Sequence, residues 1–344
     1  MKHLEKSPYF FVNKNVARKN IKKMQEKATR SNTVFRPHFK THQSLETAQI
    51  YHQLGITKIT VSSVEMAYFF AGAGFKDITI GIPANLCLIN EINKLSEQIN
   101  LQIVLSDAAT PLNKIDQLSE KLKIYIEIDT GYHRSGIDIN NRDEIAVLYK
   151  KIHDSRKEFA GFFSHFGNTY SASSIQEILN IYHHSVKKLT ELKNLYNTSV
   201  SIGDTPSSSL LKSFEGVDEI RPGNFVYYDL MQYYLGVCKL SDISAYLVAP
   251  VIAKYPERKE LVIHAGAVHL SKEYIEINQQ KIFGKIARLE NNAIKGMEPE
   301  TSLISLSQEH GIVACSDEFF EKTRLYDNIA VIPVHSCLTA NLMK

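Results

Sequence analysis

Short runs of β-branched and other apolar residues alternate with longer segments of helical spacing from about residue 14 to residue 240. The segments 44–54, 141–152 and 173–195 place apolar side chains three or four positions apart, which predicts amphipathic helices. Strands that alternate with helices form right-handed parallel units, and about eight such units close a (β/α)8 barrel. The runs predicted to be strands lie at residues 33–36, 58–61, 77–80, 101–105, 123–128, 159–164, 198–202 and 218–220.

The character of the chain changes after residue 240. Strand-like runs follow one another with few helical segments between them, at residues 245–254, 260–264, 274–277 and 330–333. We therefore expect an α/β chain with two domains: a TIM-type barrel over residues 14–240, and a smaller β-rich C-terminal domain over residues 241–344. The N-terminal strand, within residues 1–13, is expected to join the second domain. An open, doubly wound sheet remains the alternative, although no G-x-G-x-x-G follows the first predicted strand.

Composition narrows the classes of partner. The net charge is only +3, and no basic stripe with interleaved aromatic residues indicates nucleic acid. The lysine-rich stretch 14–27 predicts the solvent face of a helix. The apolar run at residues 9–12 is too short for a signal peptide or a membrane span. The four cysteines lack the spacing of a disulfide framework, so we expect free thiols in a cytoplasmic protein.

Polar side chains alternate directly after the first predicted strand, in Arg-Pro-His-Phe-Lys-Thr-His at residues 36–42. An extended backbone would point Arg36, His38, Lys40 and His42 the same way. Four polar groups on the inner face of a barrel would be costly without a ligand. A ligand site is therefore expected at the carboxyl end of this strand, where barrels place their functional groups.

The 36–42 motif resembles the cofactor-binding lysine motif of the D-serine dehydratase and D-threonine aldolase family. These are alanine-racemase-like enzymes in which a pyridoxal-phosphate barrel is joined to a C-terminal β domain. The resemblance covers nearly the whole chain and recurs at several places in the same order. It implies that Lys40 holds pyridoxal 5′-phosphate as a Schiff base and that the substrate is a small D-amino acid.

Two further strand ends carry parts of the same resemblance. Asp-Thr-Gly-Tyr-His-Arg-Ser-Gly at residues 129–136 resembles the segment that places an arginine beside the phenolic oxygen of the cofactor, a role implied for Arg134. His-Phe-Gly-Asn-Thr-Tyr at residues 165–170 resembles the segment whose histidine packs on the cofactor ring. This implies roles in the active site for His165 and Tyr170.

The loops after the seventh and eighth predicted strands are rich in small residues. Barrels often bind phosphate at these two positions, where backbone N–H groups converge. The family has Gly-x-Thr-Pro and Arg-Pro-Gly-Asn here, which implies that Gly203, Thr205, Gly223 and Asn224 bind the cofactor. Either loop alone would be weak evidence.

The pair His335 and Cys337 lies near the C-terminus. In an extended strand the two side chains would point to one side, and imidazole with thiolate suits Zn²⁺. The family binds a divalent metal with His-x-Cys or His-x-Asp at this place. Cysteine is found in the dehydratases with zinc, and aspartate in the aldolases with a harder ion such as manganese. Cys337 therefore favours zinc and the dehydratase branch, and residues 307–311 resemble a segment near the same site.

The resemblance implies a lyase that removes water from a D-β-hydroxy amino acid, most simply D-serine or D-threonine, with Lys40 as the base at Cα and the metal on the leaving hydroxyl. Retro-aldol cleavage of D-threonine and dehydration of D-threo-3-hydroxyaspartate are the near alternatives. An amino-acid racemase and a non-catalytic cofactor carrier are more distant ones. A homodimer is expected.

Two features depart from the family pattern. Residues 61–65 match their counterpart loosely, which leaves substrate contacts there open. Relatives continue beyond the position of Cys337 through another strand or so, so a shortened edge of the second domain is expected.

Overall fold

A computed structural model describes residues 7–344, so the first half of the predicted N-terminal segment lies outside the described residues. The strands are β1 (Tyr9–Val12), β2 (Val34–Phe35), β3 (Lys58–Val61), β4 (Asp77–Pro83), β5 (Asn100–Leu105), β6 (Lys123–Asp129), β7 (Ile137–Asp138), β8 (Glu158–His165), β9 (Val200–Gly203), β10 (Glu219–Ile220), β11 (Ala245–Tyr255), β12 (Glu260–Ile263), β13 (Ile275–Ile277), β14 (Gln280–Ile282), β15 (Gly284–Glu290), β16 (Ala293–Leu306), β17 (Gly311–Ala314) and β18 (Asn328–Pro333).

The helices are α1 (Lys14–Arg30), α2 (Leu45–Gln53), α3 (Val64–Gly72), α4 (Ile89–Ser96), α5 (Leu112–Asp116), α6 (Arg142–Asp154), α7 (Ile175–Tyr196), α8 (Thr205–Leu210), α9 (Leu230–Tyr234), α10 (Ala267–Leu270), α11 (Asp317–Lys322) and α12 (Ser336–Leu342). Side-chain caps fix several starts: Ser44 accepts a hydrogen bond from the Thr47 N–H at α2, and Asn141 from the Glu144 N–H at α6. None of the described helices is long and apolar enough to cross a membrane.

The chain divides into two compact units. Of the described residues, one unit contains 22–223 and the other contains 7–21 and 224–344. These boundaries fall at 21/22 and 223/224, whereas the sequence prediction placed them at 13/14 and 240/241. The difference arises because the contacts of the chain change inside α1 and directly after Gly223, where no change in sequence composition marks them.

The unit of residues 22–223 is a parallel barrel. Its strands run in the order β2-β10-β9-β8-β6-β5-β4-β3. The two ends of this order meet at a parallel bridge between His38 and Thr60, where the Thr60 N–H donates to the Pro37 carbonyl at 2.9 Å. The (β/α)8 prediction is therefore confirmed, and the open, doubly wound alternative is wrong.

The other unit is an antiparallel barrel. The order β11-β12-β17-β16-β15-β18 returns to β11, and β1 pairs with β11. Its core is apolar, with Leu247, Val251, Leu303 and Val331 among the fully buried side chains. The sequence predicted a β-rich unit and five of its strands, β1, β11, β12, β13 and β18, but it missed β14, β15, β16 and β17.

One prediction about the barrel exterior is wrong. Lys14, Lys19, Lys22 and Lys23 of α1 are exposed, as expected for a solvent face, but Lys27 is buried. Its ammonium group donates hydrogen bonds to the carbonyls of Ser208 (2.7 Å) and Ser209 (2.8 Å), near the end of α8. The position of Lys27 along the helix is the same whether its ammonium group contacts water or two carbonyl groups, so the spacing of lysines alone could not predict its burial.

Candidate active site

Lys40 lies in a single 3₁₀ turn, Phe39–Thr41, a few residues beyond β2. The His38 Nδ1 accepts a hydrogen bond from the Lys40 N–H at 3.4 Å and so caps the start of this turn. The expectation that residues 36, 38, 40 and 42 share one direction is wrong, because the strand ends at Phe35 and the backbone then turns. Only part of the motif therefore reaches the mouth of the barrel.

The outer two members of the motif serve the structure of the barrel. Arg36 is buried and makes ion pairs with Glu219 (2.6 Å) and Asp77 (2.5 Å). His42 packs in an aromatic cluster, with its ring centroid 4.4 Å from that of Phe39. Burial lowers the pKa of His42 to about 3, so its ring is neutral.

The inner two members lie in a cluster of positive charge. Burial lowers the pKa of His38 well below its usual value, and the charges of Lys40, Arg221 and Arg134 lower it further. The pKa of His165 is lowered in the same way, by burial and then by Lys40, Arg134 and Arg221. The structure thus brings the predicted residues Lys40 and Arg134 close to two neutral imidazoles, those of His38 and His165.

Arg134 is presented by the turn that follows β6. The Asp129 carboxylate accepts hydrogen bonds from the backbone N–H groups of Gly131 (2.8 Å), Tyr132 (2.9 Å) and His133 (3.1 Å), and this folds the turn. Gly131 adopts a φ of 118°, a conformation that favours glycine. The Arg134 guanidinium lies 5.3 Å from the centre of the Tyr132 ring and is exposed.

His165 and Tyr170 both contact the loop that begins at Gly203. The His165 Nδ1 is bonded to the Gly203 carbonyl, so this nitrogen carries the proton in the neutral ring. The Thr205 N–H donates to the Tyr170 hydroxyl at 3.1 Å. The predicted phosphate-binding loop is therefore hydrogen-bonded to His165 and to Tyr170, the two residues of this motif that were predicted to lie in the active site.

The 203–207 loop holds an unsatisfied hydroxyl. Thr205 Oγ1 is buried and has no hydrogen-bond partner, while the Ser207 hydroxyl donates to Asp204 at 2.6 Å and is occupied. At Gly223 a Cβ atom would lie 2.8 Å from Thr41 Oγ1 and 2.9 Å from the His38 carbonyl, so only glycine fits beside the Lys40 turn. These features fit a bound anion held by the Thr205 hydroxyl and by the backbone N–H groups of these loops.

His335 and Cys337 are in contact, but the geometry differs from the prediction. His335 precedes α12, and Cys337 lies in the first turn of that helix, so the extended strand that was expected to align them is absent here. Burial opposes protonation of His335, but a hydrogen bond from its ring to Cys337, the charge on Cys337 and the charges of Asp229 and Glu273 raise the pKa of His335 to about 9.

Asp229 holds the turn that carries these two side chains. Its carboxylate accepts hydrogen bonds from the Ser336 N–H (2.9 Å) and from Asn224 Nδ2 (2.6 Å). Asn224 Nδ2 also lies 3.4 Å from the Cys337 sulfur, and the Asn224 Oδ1 is buried without a partner. Asn224, which was predicted to bind the cofactor, thus contacts the predicted metal ligands.

The sequence reasoning gave no individual role to three residues of these sites. Arg221 stacks on Phe163 with its guanidinium carbon 3.2 Å from the ring centre, and it donates to the Ser164 carbonyl at 2.6 Å. Glu127 and Asp229 are buried carboxyl groups beside the predicted residues. Arg221 and Glu127 lie within or next to the quoted motifs, so for these two residues the sequence offered a nearby charge as a signal, whereas Asp229 is distant in sequence from the His335 and Cys337 that it supports.

A second group of possible metal ligands lies near α10. His264, His269 and Glu309 bring ligand atoms within 4.8 Å of one another. However, His269 Nδ1 accepts the Gly266 N–H at 3.1 Å, which leaves the proton of the neutral ring on Nε2, 3.9 Å from Glu309. That proton occupies the position a metal would need, so the group is better described as a carboxylate between two imidazoles.

Two family models match the two parts of the chain. The alanine racemase N-terminal domain matches residues 12–230, and the putative serine dehydratase domain matches residues 244–344. The chain belongs to the alanine-racemase-like family in which these two domains are joined.

Individual relatives agree with this membership. A D-serine dehydratase from Dictyostelium discoideum is 31% identical, over 97% of this chain and 91% of the relative. A D-threo-3-hydroxyaspartate dehydratase from Delftia sp. is 25% identical, also over 97% of this chain and 91% of the relative. A solved structure of that enzyme has a TM-score of 0.89 at 23% identity, and the match covers 98% of this chain and 92% of the solved one. A D-threonine aldolase from Filomicrobium marinum has a TM-score of 0.79 at 19% identity, over 98% of this chain and 90% of its own.

Proposed function

We propose that this protein binds pyridoxal 5′-phosphate through Lys40 and eliminates water from a D-β-hydroxy amino acid, with D-serine as the first candidate substrate. The observation that carries the proposal is the convergence of Lys40, Arg134 and His165 at one barrel mouth. The relatives support it, since a D-serine dehydratase matches nearly the whole chain at 31% identity. The products from D-serine would be pyruvate and ammonia.

The residues present fit the cofactor. The free Thr205 hydroxyl and the close backbone at Gly203 and Gly223 suit a phosphate group, and the surrounding cations suit its charge. When bound, the cofactor would supply an electron sink for the bond broken at Cα. His165, which is neutral and fixed by the Gly203 carbonyl, would pack against the ring without adding charge.

Lys40 would have two tasks. It would hold the cofactor covalently and, once the substrate has displaced it, accept the Cα proton on its side-chain nitrogen. Its backbone is held by the short turn and by the His38 cap, which fixes the point from which the side chain reaches the cofactor. Arg134, which is presented by the Asp129 turn, would donate to the phenolic oxygen of the ring.

His335 and Cys337 would hold a divalent metal. An imidazole and a thiol in direct contact form a donor pair that suits Zn²⁺ better than a harder ion such as Mn²⁺. A related solved structure is described as a cysteine-to-alanine variant of the hydroxyaspartate dehydratase in the metal-free form, which supports a metal in this family. The metal would act as a Lewis acid on the hydroxyl that leaves.

Retro-aldol cleavage is the second candidate reaction. The likeness in fold to the D-threonine aldolase favours it, whereas the thiol ligand Cys337 favours elimination. The two reactions differ in product, since elimination gives a 2-oxo acid and ammonia, and cleavage gives glycine and an aldehyde. Dehydration of D-threo-3-hydroxyaspartate, the substrate named for one relative, would be the same elimination of water with a different substrate.

The test is an assay of the purified protein with D-serine, D-threonine and D-threo-3-hydroxyaspartate, with and without Zn²⁺ or Mn²⁺. We expect a 2-oxo acid from at least one substrate and more of it with Zn²⁺. Lys40→Ala should abolish the borohydride-reducible cofactor and lower turnover by about 10²–10⁴-fold, the usual contribution of a general base. Lys22→Ala, a change at an exposed lysine, is the control.

Failure of all three substrates under every metal condition would contradict the lyase assignment. A borohydride-reducible cofactor that persists in Lys40→Ala would contradict the assignment of the lysine.

A homodimer and a cytoplasmic location remain predictions. Light scattering of the purified protein tests the first, and fractionation of its source cells tests the second.

A further inference from the structure

Glu127 is a buried carboxyl group in β6 with an unsatisfied oxygen. Its side chain is only 2% exposed, and the Ser135 hydroxyl donates to its Oε1 at 3.0 Å. Its Oε2 is buried and has no hydrogen-bond partner. Gly136 closes over it, since a Cβ there would lie 3.1 Å from the Glu127 Cγ. A buried carboxyl oxygen without a donor is costly, so a donor should reach it in the working enzyme.

Two cations act on this carboxyl group, but one of them is already committed. Arg221 donates to Ser201 and to the Ser164 carbonyl, and it is stacked on Phe163. Arg134 makes no hydrogen bond or ion pair within residues 7–344 and only faces the Tyr132 ring, although its charge reaches Glu127. Arg134 is therefore the donor that remains available to Glu127.

We propose that Glu127 is the positioning residue for Arg134: its Oε2 accepts a hydrogen bond from the guanidinium when Arg134 turns towards the bound cofactor. This rests on the proposed function, because Arg134 has a reason to turn inwards only if the cofactor is there. The pair would be charge-neutral. Glu127 would thus fix the direction of Arg134 and offset its charge beside the lysine-bound cofactor.

The ionisation of Glu127 depends on its partner. Burial and, to a smaller extent, the charge of Asp129 raise the pKa of Glu127, and the Ser135 hydrogen bond and the charges of Arg134 and Arg221 only partly oppose this. Without Arg134 one of the charges that oppose this rise would be lost, so the pKa of Glu127 should rise further and we expect the neutral form to be favoured. Glu127→Gln should therefore change the electrostatics of the site when Arg134 is present and have no effect when Arg134 is absent.

The experiment is a pH titration of the visible absorbance of the lysine-bound cofactor in four holoenzymes: wild type, Glu127→Gln, Arg134→Ala and the double variant. In Glu127→Gln the uncompensated charge of Arg134 should lower the pH of the colour change by about one unit. Adding Glu127→Gln to Arg134→Ala should not move it. Lys22→Ala, which removes an exposed charge of α1, should titrate close to wild type.

Unfolding of the cofactor-free proteins separates this role from a structural one. Gln keeps an acceptor for Ser135 and carries no buried charge, so Glu127→Gln should be at least as stable as wild type. An unshifted colour change in Glu127→Gln, or an equal shift in both Arg134 backgrounds, would overturn the inference about Glu127 alone. Absence of a Lys40-bound cofactor in the wild type would overturn the proposed function as well.

Discussion

The two candidate sites collect charges of opposite sign. In the parallel barrel, Lys40, Arg134 and Arg221 surround histidines whose pKa values are lowered, so the site is cationic. In the antiparallel unit, the charges of Cys337 and Asp229 raise the pKa of His335. The first environment suits a phosphorylated, anionic cofactor, and the second suits a metal cation. A single chain thus keeps an anion site and a cation site on separate frameworks.

The two sites also differ in how they are supported. The barrel residues are held by several strands and by backbone carbonyls, as Arg221 is by β8 and β9. The turn that carries His335 and Cys337, called the cysteine turn below, depends largely on the single carboxylate of Asp229. This carboxylate accepts hydrogen bonds from both the Ser336 N–H and Asn224. We therefore expect changes in the barrel to alter stability together with cofactor binding, and changes at the cysteine turn to alter metal content with little effect on the barrel.

The largest expected effect is at the thiol. Cys337→Ala removes the soft ligand, so we expect bound metal to fall from about one equivalent to nearly none. Loss of a Lewis acid that contributes several kcal/mol should reduce turnover by about 10³-fold. Binding of the cofactor to Lys40, followed by its visible absorbance, should be unchanged, because the barrel site does not use the thiol.

Cys87→Ala is the matched control, since Cys87 is a free and exposed thiol in the barrel unit. It should keep the metal and the activity. Metal content is measured by atomic emission and turnover by release of 2-oxo acid. If Cys337→Ala also lost its cofactor colour, the separation of the two sites would be contradicted.

A smaller effect, in the opposite unit, is expected from Arg221→Lys. Lysine keeps the charge but loses the planar stacking on Phe163 and cannot reproduce the bonds to Ser201 and the Ser164 carbonyl. We expect a loss of about 3 kcal/mol in the free energy of unfolding of the cofactor-free protein, measured in urea, with weaker cofactor binding. Metal content should not change, and a loss of metal in this variant would argue against independent support.

The two units also differ in how many of their strands could be predicted from the sequence. The barrel strands are short, largely buried and rich in β-branched and aromatic residues, and they alternate with helical segments, so all eight were predicted. In the antiparallel unit, β16 mixes buried and exposed positions, and its register with β15 shifts twice. Such bulged strands lack a regular alternation, so the pattern was missed.

Turn residues held a signal that was not used. Asn291 and Asn292 both have positive φ, as do Asn278 and Gln279, which is the geometry of a two-residue hairpin turn. Asn-Asn between two polar strands could have predicted the β15–β16 hairpin. At the sites, the identity of Lys40, His335 and Cys337 could be inferred from motifs, but the partners that orient them, such as Asp229, are distant in sequence.

The third prediction uses pH to examine the cysteine turn by itself. The raised pKa of His335, about 9, means that its ring is protonated in the metal-free protein at neutral pH. A metal needs the neutral ring, so the apparent metal affinity should rise about tenfold per pH unit until about pH 9 and then level off. The stability that protonated His335 contributes is complete below about pH 6.5 and is lost as the pH rises through 9.

Competition with a chromophoric chelator at several pH values measures this dependence. Cofactor affinity, measured in parallel, should not follow the same curve, because His38 and His165 are neutral throughout this range. A metal affinity that is flat between pH 6.5 and 9 would contradict the assignment of His335 as a ligand.

The smallest expected effect distinguishes the two ends of α8. Lys27 binds the carbonyls of Ser208 and Ser209 near the end of this helix, and Thr205, the proposed phosphate ligand, is its first residue. Lys27→Met leaves the carbonyls of Ser208, which is buried, and Ser209, which is half-buried, without their charged donor. This should cost about 1–3 kcal/mol in the free energy of unfolding and weaken cofactor binding a few-fold. Lys23→Met, at an exposed position of α1, should change neither quantity. Metal binding should be the same in both variants. A loss of metal with Lys27→Met would mean that α8 supports both sites. The two sites would then differ in the sign of their charge but would no longer be supported independently.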